Sequence, residues 1–219
     1  MSVLTPRWAA GLLLAAASLH ATAQTTPAHL QAGALIAEHG NLQGAPACAS
    51  CHGPQGQGQG IYPPLAGQPA GYLQRQLQAL ASNQRKHPQM SGIAKALTAQ
   101  EQADVAAFYA SLKLPVQPVQ GPLPTAKDGK GAWLAERGRW ADGIPACSKC
   151  HGPGGAGVGQ DFPAIAHLSE AYMNDQIKAW QQGSRDAGPL GLMGSVAQKL
   201  TPQDIADVAA YYRSLQQPR

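Results

Sequence analysis

Apolar positions in the stretch 97–112, "LTAQEQADVAAFYASL", return at the spacing of one helix face: Val105, Phe108, Tyr109 and Leu112. Thr98 stands ahead of them where an N-cap hydroxyl would accept from a free backbone N–H, and Glu101 follows three residues later, the order of a capping box. The same arrangement recurs at 200–215, "LTPQDIADVAAYYRSL", with 11 identities in 16. There Val208, Tyr211, Tyr212 and Leu215 form the stripe, Thr201 and Asp204 frame the start, and Pro202 takes the first helical position. Helical patterning also covers 70–81 and its counterpart 170–181, and 30–38 with its counterpart 131–137. No segment carries a convincing strand pattern. The stretches "GPQGQGQGIYPP" and "GPGGAGVGQDFP" are rich in glycine and proline and read as loop.

These pairs belong to a repeat. "GALIAEHG" at 33–40 matches "GAWLAERG" at 131–138, "APACASCHGP" at 45–54 matches "IPACSKCHGP" at 144–153, and "YPPLAGQPAGYL" at 62–73 matches "FPAIAHLSEAYM" at 162–173. The offset drifts only from 98 to 103 residues, far longer than the period of a solenoid. Two tandem domains are expected, 24–114 and 127–219, joined by 115–126, "PVQPVQGPLPTA". Four prolines in those twelve residues favour an extended, fairly stiff connector.

Ahead of the repeat, Arg7, an apolar run from Trp8 to Leu19 and the small-x-small triplet Ala21-Thr22-Ala23 have the layout of an export signal cleaved after Ala23. The run is shorter than the roughly 20 apolar residues of a membrane span. Export implies the periplasm. Without Arg7 the chain carries 15 Lys+Arg against 12 Asp+Glu, a mild excess with no basic run, so no nucleic-acid partner is expected.

All four cysteines lie in the two copies of one motif: Cys48-x-x-Cys51-His52 and Cys147-x-x-Cys150-His151. Cys-x-x-Cys-His is the attachment sequence of c-type haem. Two thiols one helical turn apart reach the two vinyl groups of one porphyrin, and the histidine that follows lies under the iron. Zinc would want its cysteine pairs roughly 15–20 residues apart, and a thioredoxin-like pair a strand-helix context. A structural disulfide would leave His52 and His151 unexplained. Two haem c groups are therefore expected, and their bulk would fill out domains that have only two phenylalanines between them.

For the sixth iron ligand, Met90 and Met193 occupy equivalent places, each seven residues before the leucine that opens the final-helix motif. Met173 aligns with Leu73 and reads as packing; His87, three residues from Met90, competes for the first iron. Pro63 and Pro163 also match. Either a carbonyl there orients the axial histidine through its Nδ1–H, or the prolines only stiffen the loop. Arg85 and Arg185 match as well, and read either as propionate partners or as solvated charge. The glycine-rich loops lack the Lys-Ser/Thr of a phosphate cradle.

With these residues in view, the chain resembles the di-haem class I cytochromes c of the cytochrome c4 type, over nearly all of the sequence after the leader. The resemblance implies an all-α fold of two tandem cytochrome c domains. It implies thioether links at Cys48, Cys51, Cys147 and Cys150, proximal ligands His52 and His151, distal ligands Met90 and Met193, and the loop prolines Pro63 and Pro163. It implies an electron carrier between redox proteins: a quinol-oxidising complex or dehydrogenase as donor, a terminal oxidase or reductase as acceptor, with no small-molecule substrate. A di-haem oxidoreductase, or a cytochrome subunit fixed in a dehydrogenase complex, is the alternative. The second copy departs from the pattern, with "AIAHLSEAY" in place of "PLAGQPAGY" and three extra residues before its methionine.

Overall fold

The computed structural model describes residues 27–113, 126–188 and 190–215; the proposed leader, most of the proline-rich connector and the last four residues lie outside them. Among the described residues the chain is helical, and β-pairing is limited to isolated bridges. The first half runs α1 (Pro27–His39), α2 (Ala49–His52), α3 (Ala70–Ala81), α4 (Met90–Lys95) and α5 (Ala99–Ser111). The second repeats the order with α6 (Lys130–Arg137), α7 (Ser148–His151), α8 (Glu170–Gln181), α9 (Leu192–Ala197) and α10 (Pro202–Ser214).

The periodic segments form the helices their patterns predict. Both final helices open with complete capping boxes: Thr98 accepts from Glu101 N–H and Glu101 accepts from Thr98 N–H, and Thr201 and Asp204 do the same. Two pieces differ from expectation. The six-residue helices α4 and α9 lie outside the segments with helical patterning, because six residues that include Gly92 or Gly194 give no usable periodicity. The first helix also starts three residues earlier than its pattern, at Pro27, where proline suits the first turn.

Each half has its own core. In the first, Ile36 and Ala37 of α1 pack with Leu73 of α3 and Val105, Ala106 and Tyr109 of α5. In the second, Leu134 and Ala135 of α6 pack with Met173 and Ile177 of α8 and Ile205, Val208 and Tyr212 of α10. Met173 is thus a packing residue, as its alignment with Leu73 implies. The first and last helices of each half cross at glycine. A Cβ on Gly33 would lie 2.2 Å from the carbonyl oxygen of Asp104, and one on Gly131 would lie 2.0 Å from that of Asp207. Only a residue without a side chain permits these crossings.

The halves meet through α3, α8 and the turns that follow them. Lys86 N–H donates to Ser184 O at 2.9 Å and Asp186 N–H to Gln84 O at 2.8 Å, a short antiparallel pairing about a local two-fold axis.

Candidate functional site

Each cysteine motif begins as one turn of helix. Cys48 caps α2 and Cys147 caps α7, so the two sulfurs of each motif are one turn apart and the histidine closes the turn. The chain then has to leave sharply, at Gly53 with φ 86° and at Gly152 with φ 77°, a region open to glycine. The loop folds back under the histidine. His52 Nδ1 donates to Pro63 O at 2.8 Å, and His151 Nδ1 donates to Pro163 O at 2.7 Å. Of the two roles open to the prolines, the carbonyl role is the one realised in the geometry.

Both imidazoles are buried. Burial pulls His52 and His151 below the ordinary imidazole pKa, against the opposing effect of the prolyl carbonyls. Each ring is therefore neutral near pH 7. With Nδ1 carrying the proton, the lone pair is on Nε2, the form that ligates a metal.

Both histidines, all four cysteines, Met90 and Met193 line one continuous cavity of about 1,910 Å³. Single small-molecule pockets run about 300–1,000 Å³, so this volume suits two large groups better than one. Its walls are mainly apolar, with Leu65, Leu73, Leu80 and Val105 from the first half and Ile165, Ile177, Val196 and Val208 from the second. Two flat apolar macrocycles, each with sulfur anchors, a neutral imidazole and a thioether at hand, fit this chamber. Met90 is the first residue of α4 and Met193 the second of α9, so short helices missing from the periodicity reading carry the methionines. His87 turns its Nδ1 to the start of α4, where it accepts from Met90 N–H at 3.1 Å and Gln89 N–H at 3.3 Å. That bond makes it a cap for the helix that bears the methionine.

Arg85 and Arg185 are not solvated charges. They are 9% and 6% exposed, and both line the cavity. Arg85 donates to Gln76 Oε1 at 3.0 Å, Tyr172 Oη at 2.8 Å and Gln176 Oε1 at 2.7 Å. Arg185 donates to Gln176 Oε1 at 2.8 Å, Tyr72 Oη at 3.2 Å and Gln76 Oε1 at 2.9 Å. Those contacts include no carboxylate, and the two buried cations face the chamber. A buried charge of this kind calls for an anionic partner. The sequence reading missed Tyr72, Gln76, Tyr172 and Gln176. Their signal was available: each pair matches at an offset of 100, and each is polar on a helix whose other face is apolar.

One further contact has no counterpart. The side chain of Gln68 reaches from the first half to the backbone of Ala164 in the second. Gln68 Nε2 donates to Ala164 O at 2.9 Å, and Ala164 N–H donates to Gln68 Oε1 at 3.0 Å. Nothing in the repeat flags it, because the matching residue in the second copy is Leu168.

The comparisons with known proteins agree with this chemistry. The cytochrome c family model matches residues 37–113 and again 126–216. A protein of Thiomonas intermedia named thiosulfate dehydrogenase electron acceptor is 46% identical over 170 residues, 76% of this chain and 77% of that protein. Cytochrome c4 of Pseudomonas aeruginosa is 33% identical over 174 residues, 78% of this chain and 85% of that one. Among solved structures, a thiosulfate dehydrogenase from Marichromatium purpuratum superposes with a TM-score of 0.75 at 36% identity. The match covers 86% of this chain and 40% of that longer one. Two domain matches, two attachment motifs and a chamber that suits two macrocycles converge. The chain belongs to the cytochrome c family, as a two-domain electron-transfer protein of the cytochrome c4 type with two covalently bound haem c groups.

Proposed function

We propose that this protein is a periplasmic electron carrier that accepts electrons from a dehydrogenase and passes them to a terminal oxidase or reductase. The observation that carries the reading is the shared chamber: both cysteine motifs, both histidines and both methionines line one cavity. Cys48 and Cys51 hold the first haem and Cys147 and Cys150 the second. His52 and Met90 would hold the first iron, and His151 and Met193 the second. The haem supplies one-electron chemistry at an iron whose His/Met ligation raises its potential. The chain's own residues do the rest. The carbonyls of Pro63 and Pro163 fix the ring orientation of the histidines and keep the proton on Nδ1. Arg85 and Arg185 supply positive charge for the propionates. A histidine and a methionine on each iron would leave no open site for oxygen, peroxide or a small substrate, which fits a carrier of electrons better than an enzyme.

The domain limits follow from the same reading: a leader of residues 1–23, domains 24–114 and 127–219, and a connector of 115–126. The names of two relatives, each a thiosulfate dehydrogenase electron acceptor at 46% and 41% identity, favour a thiosulfate-oxidising dehydrogenase as donor over a quinol-oxidising complex. The test has three parts. The exported protein should have the mass of residues 24–219 plus two haems that resist acid-acetone extraction. The oxidised protein should be reduced rapidly by a thiosulfate dehydrogenase in the presence of thiosulfate, and only slowly by thiosulfate alone. Met90→Ala and Met193→Ala should each remove half of the far-red sulfur-to-iron band. Fast turnover of thiosulfate by the isolated protein would favour the oxidoreductase reading instead.

A further inference from the structure

We propose that Gln68, a residue of the first domain, is a positioning residue for the haem of the second: it sets the strength of the hydrogen bond on His151 and so lowers that haem's reduction potential. The inference rests on the reading of His151 as an iron ligand.

His151 Nδ1 donates to the carbonyl oxygen of Pro163. That carbonyl and the N–H of Ala164 belong to the same planar peptide unit. The Ala164 N–H donates to Gln68 Oε1 at 3.0 Å. A peptide that donates at its N–H becomes a better acceptor at its C=O, because hydrogen bonds in a chain polarise one another by about 10–30% per bond. Gln68 therefore strengthens the bond His151 Nδ1–H···O=C without touching His151. Gln68 and Ala164 are 4% and 8% exposed, so the chain of bonds is dry and little screened by solvent. The orientation of the amide is fixed as well. Its Nε2 donates to Ala164 O, and reversing the amide would oppose donor to donor and acceptor to acceptor.

A stronger bond at Nδ1 makes the imidazole a stronger base at Nε2. A stronger donor to iron stabilises the oxidised state, which lowers the potential. In the first domain this lever cannot exist. His52 donates to Pro63 O, but the next residue is Pro64, whose nitrogen carries no hydrogen. The residue that would reach across from the second domain is Leu168. Two ligand sets of the same kind are thus set apart by one amide hydrogen and one glutamine, and the second haem is placed on the lower-potential side of the effect.

The experiment is a redox titration of the holoprotein, with the haem methyl resonances of each domain followed separately by NMR. Wild type is compared with Gln68→Met, Ala164→Pro, the double variant and Gln68→Glu. Gln68→Met keeps the bulk and removes both bonds. Ala164→Pro removes only the amide hydrogen and gives the second loop the Pro-Pro sequence that the first already has. Each single variant should move the electron partition toward the second haem by at least twofold, about 18 mV when tenfold is about 59 mV, and leave the first haem where it was. The double variant should move it no further than either single one, since both cut the same bond. Gln68→Glu, which keeps an acceptor for the Ala164 N–H, should restore most of the wild-type difference between the two haems.

In the wild type, the His151 ring should show large hyperfine shifts in the oxidised state; their absence would sink the ligand assignment itself. If the shifts are present and neither single variant moves the second potential, Gln68 is only a packing contact and the inference is wrong. Equal movement of both haems would also overturn it, by pointing to a general loosening of the domain contact. Should Gln68→Met fail to fold, Ala164→Pro decides alone.

Discussion

At the centre of the contact between the two domains, each bond has its mirror image. Lys86 pairs with Ser184 as Asp186 pairs with Gln84, and Arg85 meets Tyr172 and Gln176 as Arg185 meets Tyr72 and Gln76. At the flank, the described bonds run one way only. Gln68 grips Ala164, Gly71 N–H donates to Gln160 Oε1 at 3.1 Å, and Arg75 pairs with Asp161 at 2.8 Å. The reciprocal contacts would need Leu168, Ala171 and Asp175 to hold Pro64, Gly60 and Ile61. Those residues offer no matching donors and acceptors. The repeat therefore preserves what seats both haems alike, and has diverged where the first domain braces the haem loop of the second. The lesson is that identical ligand motifs do not make equivalent sites: the inequality is written in the residues that hold the loops.

The largest expected effect tests the symmetric side. Gly33→Ala and Gly131→Ala each force a methyl group into a backbone carbonyl across a helix crossing, at 2.2 and 2.0 Å. Overpacking of a tight interior contact costs about 1–3 kcal/mol and occasionally more, and backbone can yield little here, so each should cost about 3 kcal/mol. Thermal unfolding of the holoprotein should show two similar losses, each in its own domain. A large inequality would mean that the two domains are not built alike even at their cores.

The next effect sharpens the picture at the seam. Arg85→Met takes the donor from Tyr172 Oη and Arg185→Met takes it from Tyr72 Oη, while Gln76 and Gln176 each keep a bond from the remaining arginine. Leaving a buried acceptor unmet costs about 1–3 kcal/mol. The pair is not quite equal, because Arg185 also lies over the Trp180 ring at 4.0 Å. The residue that matches Trp180 is Leu80. Arg185→Met should therefore cost about 0.5–2 kcal/mol more than Arg85→Met, measured by denaturant unfolding. Equal losses would show that the stacking contributes nothing. A gain in stability from either variant would speak against the proposal that a haem propionate answers these charges.

Most of the frame was legible in the residues. The capping boxes, the 3.6-residue stripes and the offset near 100 gave the helices their places, and the doubled cysteine motif pointed to the haem chemistry. Such features are local, or they repeat. What escaped depends on tertiary contacts or lies in segments too short to show a period. The helices that carry Met90 and Met193 are too short to show a period. The role of Arg85 and Arg185 depends on which groups the fold brings to them, and burial of a charge is not encoded in its immediate neighbours. Gln68 was invisible because its partner is a backbone amide 96 residues away, contributed by an alanine. The choice between the two roles of Pro63 and Pro163 rested on a loop path that composition does not determine.

The smallest effect concerns the final helices, whose caps look alike in sequence and differ in surroundings. Thr98→Ala and Thr201→Ala should each cost about 1 kcal/mol at pH 7. The acids of the two boxes respond differently to pH. Glu101 is held below the usual carboxylate range chiefly by the Thr98 backbone N–H, and its other partner is the neutral Asn41 at 3.1 Å. Asp204 is held lower still, chiefly by Arg139, whose two nitrogens reach its two oxygens at 2.7 and 3.0 Å. Both pKa values are depressed in the folded state. Each carboxylate therefore adds stability that is complete above its unfolded pKa, about 4, and is lost as pH falls toward the folded value. The Glu101 contribution should fade first as pH falls below the unfolded carboxylate range, and that of Asp204 should persist into stronger acid. Both acids lie near the surface, so salt will weaken the difference. Carboxyl NMR titration should find Asp204 the more acidic of the two, and Arg139→Gln should bring it up toward Glu101. If the two titrate together in the wild type, Arg139 does not distinguish the caps, and at this end of the domains the halves are equivalent after all.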